Sequence, residues 1–321
     1  MHARRALYRS WRRLALLLPL SCTTCTQGQI SELPPNREVS ADVPPLADLP
    51  LPAPVPPASV RGETLLATAT SAYNTTHVRQ RGTRRTLGFA RERGGEFVQT
   101  ILDLGDPDGP GHRYVTAMAA ALVAAAGAER LLVIGLGGGS LIRVLHARLQ
   151  RARIDAVEID PEVIRLAAEW FGVVPTARLR VIEADGLRFI EDEGEPYDLV
   201  WLDAFLLPTA PGTDASGVPQ ALQAEAFLRR LRARLRPGGV AAFNVHHTPT
   251  YRGRVDAIAS VFPHVAVAWP RGSTELVVLA GDAPLTPDLL RARARDLAAS
   301  GRWDDSLDTF IDSLSPWSPT P

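Results

Sequence analysis

Three acids and one glycine cluster stand where this sequence could bind a nucleoside and activate a nucleophile. Gly135, Gly137, Gly138 and Gly139 follow at once on the branched apolar run Leu131–Ile134. Glycine permits φ > 0 and lets a ligand approach the backbone closely. Glu158 comes about 20 residues later, where an acid meets the hydroxyls of a ribose. It ends a second expected buried strand, Ile154–Val157. Asp185, followed by Gly186, and Asp203 close the runs Leu179–Glu183 and Tyr197–Leu202. A carboxylate so placed can take a proton from an attacking group. Any one of these acids alone reads more simply as a helix cap, and the glycines alone as a tight turn. Their convergence on strand ends is what an open α/β sheet uses to bind ligands.

The elements that hold these residues alternate strand and helix. Ser140 reads as the cap of a helix with the apolar stripe Leu141, Ile142, Leu145 and Leu149. Strand, glycine turn, helix, strand and acid make a nucleoside-binding βαβ unit. The turn GLGGGS is not GxGxxG and no second nucleotide fingerprint follows, so S-adenosyl cofactors fit better than NAD. Helices are expected over Tyr114–Ala126, Pro161–Phe171, Pro219–Leu235, Tyr251–Val261 and Leu285–Ala299. Pro237-Gly238-Gly239 separates the third of these from a strand, Val240–Val245. His264–Trp269 and Glu275–Ala280 read as an antiparallel hairpin at one edge, and the tail after Ala299 is poorly patterned.

Ahead of this core, three short strands (63–70, 75–80, 83–90) make a small antiparallel β-domain. The loop 101–113 carries Asp103, Asp106 and Asp108 but lacks the terminal Glu of a calcium loop, and no metal is expected. The fold class is therefore α/β: a small N-terminal antiparallel β-domain, then a seven-stranded, mostly parallel Rossmann-like sheet with helices on both faces. The expected divisions are a targeting segment at 1–30, a Pro-rich linker at 31–60, the β-domain and gate loop at 61–113, the cofactor domain at 114–282, and a C-terminal helix and tail at 283–321.

The chain has 321 residues with 35 Lys+Arg against 35 Asp+Glu, which gives no support for a nucleic-acid partner. Five arginines (Arg4, Arg5, Arg9, Arg12, Arg13) precede the apolar run Leu14–Leu20, the pattern of a secretory signal. Leu20-Ser21-Cys22 resembles a bacterial lipoprotein cleavage site with Cys22 as the lipidated residue. Arg4-Arg5 loosely resembles a twin-arginine signal. The expectation is an exported, membrane-anchored lipoprotein. A misassigned start would instead leave a cytoplasmic protein. Cys22 and Cys25 are the only cysteines, so the rest of the chain can form no disulfide of its own.

Several ordered pieces make residues 62–280 similar to the spermidine synthase family, the polyamine aminopropyltransferases. They are Phe97-Val98-Gln99-Thr100, Tyr114, LLVIGLGGGS, AVEIDPEVI, EADG, YDLVWLDAF and LRPGGVAAFN. The resemblance implies a methyltransferase-type Rossmann domain that takes S-adenosylmethionine or its decarboxylated form. It implies that Gly135–Gly139 pack under the thioether, Glu158 binds the ribose, Asp185 meets the adenine amino group and Gln99 closes over the cofactor. Asp203 would be the amine base, Tyr114 would line the substrate site, and the assembly would be a homodimer. Three departures stand against this pattern. The family's glycine turn is GGGDG, with an acid facing the aminopropyl ammonium, where this chain has Gly138. Its DxxDP ends at Leu206 here, and its Tyr-x-Glu at Thr116. The loop acids Asp103, Asp106 and Asp108 are candidates to replace them. The acceptor is a small molecule, an amine by resemblance. Two other readings stay open: a methyltransferase of unknown acceptor, or an exported binding module without catalysis.

Overall fold

A computed structural model describes residues 36–39, 62–91, 94–125, 127–301, 303 and 306–319. The expected targeting segment, Cys22 and most of the linker lie outside the described residues. In chain order the strands are β1 (Arg37–Glu38), β2 (Thr64–Thr70), β3 (Thr75–Arg81), β4 (Arg84–Ala90) and β5 (Glu96–Asp103). Then come α1 (Arg113–Ala120), β6 (Arg130–Ile134), α2 (Ser140–Arg148), β7 (Arg153–Glu158), α3 (Pro161–Phe171), β8 (Leu179–Glu183), α4 (Gly186–Glu191) and β9 (Tyr197–Leu202). The chain closes with α5 (Glu225–Ala233), β10 (Leu235–His246), α6 (Tyr251–Val261), β11 (His264–Ala268), β12 (Glu275–Gly281), α7 (Pro287–Ala298), α8 (Ser306–Ser313) and β13 (Leu314–Pro316).

β2–β5 form a four-stranded antiparallel sheet. The second sheet has nine strands in the order β1-β8-β7-β6-β9-β10-β12-β11-β13, parallel from β8 to β10 and antiparallel outside that. The α/β class and the separate small sheet hold, but the larger sheet is mixed and exceeds seven strands. The two extra strands come from segments without strand patterning. Arg37–Glu38, inside the expected linker, pairs with Glu183–Ile182 at one edge, and Leu314–Pro316 pairs with β11 at the other.

Period-2 alternation explains why helices cover both faces. Leu131, Val133, Leu199 and Trp201 face one apolar layer with α1, α2, α3, α7 and α8. Leu132, Ile134, Val200 and Leu202 face another with α4, α5 and α6. The small sheet joins the first layer through Val78, Leu87 and Leu102. Arg85, 1% exposed, fixes it there by donating to Gln80 Oε1 and to the Trp170 carbonyl at 2.7 Å, at the end of α3.

Several element boundaries differ from the sequence expectation, among them the helix expected at Pro219–Leu235, which is a 3₁₀ turn, Gln220–Gln223, followed by α5. β5 runs through Ile101 to Asp103 before the loop begins. The alanine-rich helix stops at Ala120 and tightens into a 3₁₀ turn, Ala121–Ala124. Pro237-Gly238-Gly239 does not end a helix but bulges within β10, whose pairing jumps from Leu235↔Tyr197 to Val240↔Leu199. The tail folds: Leu307, Phe310 and Ile311 sit at i, i+3, i+4 and are buried. That is one turn of signal, too little to stand out in the sequence.

Candidate functional site

The glycine turn is set by packing. Gly135 has φ 98, and a Cβ there would lie 2.2 Å from the Asp203 carbonyl oxygen. Gly139 has φ 74, and its Cβ would meet Val173 at 2.4 Å. Gly139, not Ser140, occupies the cap position of α2. Ser140 is the first helical residue, and its hydroxyl donates to the Ile101 carbonyl. Gly138 donates its N–H to Thr100 Oγ1 at 2.8 Å. The turn thus lies under β5 of the small sheet. Gln99, Thr100, Tyr114, Gly135, Gly137 and Asp203 line one cleft there.

Glu158 ends β7 and organises the next turn. One carboxylate oxygen accepts from Leu136 N at 2.9 Å, and the other from Ile159 N and Asp160 N. Burial pushes its carboxyl above the usual range, against these donors. Lone pairs remain on both oxygens for hydroxyl donors. Asp160 caps α3 through Glu162 N and accepts from Ser71 Oγ at 2.6 Å, which ties the β2–β3 turn to this edge. Tyr73, in that turn, has its phenol pushed up by burial and by Asp160, Asp185, Glu183 and Glu158. Asn74 beside it is 5% exposed and its Oδ1 has no donor. Asp185 caps α4 through Leu187 N at 2.9 Å and keeps its second oxygen. Gly186 opens α4. A Cβ there would strike Ile134 at 2.5 Å, so it serves the packing of α4 on β6. This edge therefore offers acceptors (Glu158, Asp185, Asn74) to a ligand rich in donors, as a ribose and an adenine amino group are.

Asp203 follows β9. Its Oδ1 accepts from Asn244 Nδ2 at 2.8 Å, and its Oδ2 from Tyr114 Oη at 3.4 Å. Burial raises its carboxyl to about 7; the two donors pull down and Glu275 pushes up. Burial, with Asp203 and Glu275, pushes the Tyr114 phenol well above its ordinary range, so it stays a neutral donor. His246 packs its ring on Phe205 at 4.6 Å and Phe97 at 6.0 Å, and burial keeps it neutral by lowering its pKa. The arrangement is a half-neutralised carboxylate near pH 7 in an aromatic, partly dry wall. That is what a general base for an amine requires.

Asn244, Glu275, His246, Tyr73 and Thr100 carried no role in the sequence reading. Glu275 was findable: β12 runs antiparallel to β10, so its first residue lies at the edge where the parallel strands end. Asn244 and His246 end β10 on one face, two residues apart, which a strand-end rule also reaches.

The loop acids lie elsewhere. Asp103 accepts from Gly105 N at 2.9 Å, which holds its carboxyl low. Asp106 and Asp108 face Arg143 of α2, whose guanidinium burial lowers to about 10. None of the three lines the cleft beside Asp203. At position 138 there is no room for an acid: a Cβ would lie 2.7 Å from Thr100 Cγ2 and 3.1 Å from Phe171.

Residues 90–258 match the model of the spermine/spermidine synthase domain. The eEF1A lysine and N-terminal methyltransferase of Bos taurus is 35% identical over 191 residues, 55% of this chain and 27% of that protein. The chain thus spans about a quarter of that relative's length. The polyamine aminopropyltransferase of Vibrio vulnificus (strain CMCP6) is 31% identical over 209 residues, 61% of this chain and 67% of the relative. Among solved structures, human methyltransferase-like protein 13 in complex with SAH is similar at 30% identity and a TM-score of 0.54, over 60% of this chain and 96% of that one.

Proposed function

From the premise that this chain belongs to the spermine/spermidine synthase domain family, we propose that it transfers a methyl group from S-adenosylmethionine to an amine, with Asp203 as the base. The observation that carries this reading is position 138. The family's acid there faces the aminopropyl ammonium; here Thr100 and Phe171 fill the space such an acid would need. Without that acid the site loses the partner of the decarboxylated cofactor's ammonium. It also loses the charge that would repel the carboxylate of whole S-adenosylmethionine. Leu206 and Thr116 remove two further acids that would hold a polyamine, and an unpaired ammonium costs several kcal/mol to bury. The similarity to methyltransferases supports the same reading.

When bound, the S-adenosyl group supplies a sulfonium whose carbon–sulfur bond breaks as the nucleophile attacks. The protein's part is proton handling and orientation. Only a neutral amine attacks, and Asp203 at about 7 accepts its proton on a carboxylate whose two oxygens are held one by Asn244 and the other by Tyr114. Glu158, Asp185 and Asn74 offer acceptors to the nucleoside. Aminopropyl transfer from the decarboxylated cofactor is the second reading, favoured by the likeness to a polyamine aminopropyltransferase. The test is product formation from each cofactor with a panel of amines. Asp203→Asn, which keeps shape and removes the base, should cost about 10²–10⁴-fold. Methyl transfer that survives this change defeats the base assignment. We also propose that residues 1–30 direct export and that Cys22 carries a lipid.

A further inference from the structure

A cavity of about 520 Å³ opens at the sheet edge opposite Asp203. Its walls come from the N-terminal ends of β6, β7 and β9, where Arg130, Arg153 and Tyr197 stand, whereas Glu158 and Asp203 follow the C-terminal ends. Five arginines and four acids line it. Two arginines have carboxylate partners: Arg130 pairs with Glu195 at 2.7 Å, and Arg180 grips the buried Asp155 with two nitrogens at 2.8 and 2.7 Å. The other three, Arg153, Arg178 and Arg234, have no carboxylate partner among the described residues. Arg178 donates to the carbonyls of Leu149 and His146, and Arg234 to that of Asp192. Of the remaining acids, Asp192 accepts from Asn36 and Glu193 is exposed.

Two of the basic groups are held rather than free. The guanidinium groups of Arg130 and Arg234 lie over the Tyr197 ring at 5.0 and 5.6 Å, and Arg234 also lies over Phe189 at 5.9 Å. Their Nε atoms are buried without an acceptor. Guanidinium forks fixed by aromatic stacking lose little entropy on binding an oxyanion, and their geometry suits a phosphate. We propose that this cavity binds a phosphate-bearing ligand through Arg153, Arg178 and Arg234. Asn36 lies on its rim. The phosphate can belong to a soluble phosphate ester or to a phospholipid headgroup at a membrane surface.

The test is calorimetry of the full chain with sodium phosphate against chloride at matched ionic strength. Beside it, sedimentation is run with vesicles of phosphatidylglycerol and of phosphatidylcholine. The Arg153 side chain is exposed and has no hydrogen-bond or ion-pair partner among the described residues, so Arg153→Ala keeps the fold and should weaken binding about threefold. Arg153→Ala/Arg234→Gln should weaken it about tenfold or more, with S-adenosylmethionine binding unchanged. Saturable phosphate binding without vesicle binding assigns a soluble ester, and binding to phosphatidylglycerol vesicles alone assigns a headgroup. No saturable binding to either probe overturns the proposal, and so does binding that the double variant retains.

Discussion

Asn244→Ala should make the reaction depend on alkaline pH without abolishing it. Asn244 is 4% exposed and donates to Asp203 Oδ1 at 2.8 Å, a bond that favours the ionised carboxylate. Hydrogen bonds to charged groups are worth about 1.5–3 kcal/mol, and about 1.4 kcal/mol corresponds to one pKa unit. Removing the donor should therefore move Asp203 from about 7 up by about 1–2 units. At pH 7 the ionised fraction would fall from about half to between about a tenth and a hundredth, a loss of roughly 5–50-fold. At high pH the ionised base returns, and the variant should approach the wild-type rate. The assay is kcat/KM against pH, which reports the free enzyme's base. A limb that stays near 7, moves down, or leaves an equal deficit at every pH would refute the reasoning. Asn244 would then act on shape, not on the proton.

Glu275→Gln should move the same limb the other way, because Glu275 pushes the Asp203 carboxyl up; an upward shift would remove Glu275 from the site. Asp203→Asn should be inactive yet more stable in alkali. The folded carboxyl is raised from 3.8 to about 7, so the fold holds a proton that the unfolded chain releases, and wild-type stability falls as pH rises across that window. Melting at pH 8 should therefore be higher in the variant, with the gap closing toward pH 4; equal melting at both pH values counts against a buried ionised Asp203. Glu158→Ala should weaken S-adenosylmethionine binding by about 1–3 kcal/mol by calorimetry, and unchanged affinity would cancel the ribose assignment. Gly138→Asp should overpack Thr100 and Phe171, costing about 1–3 kcal/mol in denaturant melts and restoring no putrescine turnover.

Much of the site's frame was legible because it follows from strand ends. Leu131–Ile134, Ile154–Val157 and Tyr197–Leu202 are largely buried strands, apolar but for Asp155 and Asp198, and the residue after each is forced to the same edge. Residues brought in from across the fold were less legible. Tyr73 reaches the acids of β7 and β8 only because Ser71 hydrogen-bonds Asp160, a pairing no local pattern announces. Thr100 carried no role in its sequence motif, yet its hydroxyl holds Gly138 and its methyl occupies the place of an acid. Gly186 and Gly139 read as ligand contacts, but Ile134 and Val173 explain them by packing. The edge strands β1 and β13 carry too few residues to show a period.

The central claim is that Asp203 serves methyl transfer to an amine, and the direct measurement is mass spectrometry of products. Wild type and Asp203→Asn are each given S-adenosylmethionine or its decarboxylated form, with an amine panel that includes putrescine. The account predicts a methylated amine from S-adenosylmethionine, lost in Asp203→Asn, and little spermidine from the decarboxylated cofactor. Spermidine formed at a typical enzyme's ~10 per second, without any methylated product, would contradict it.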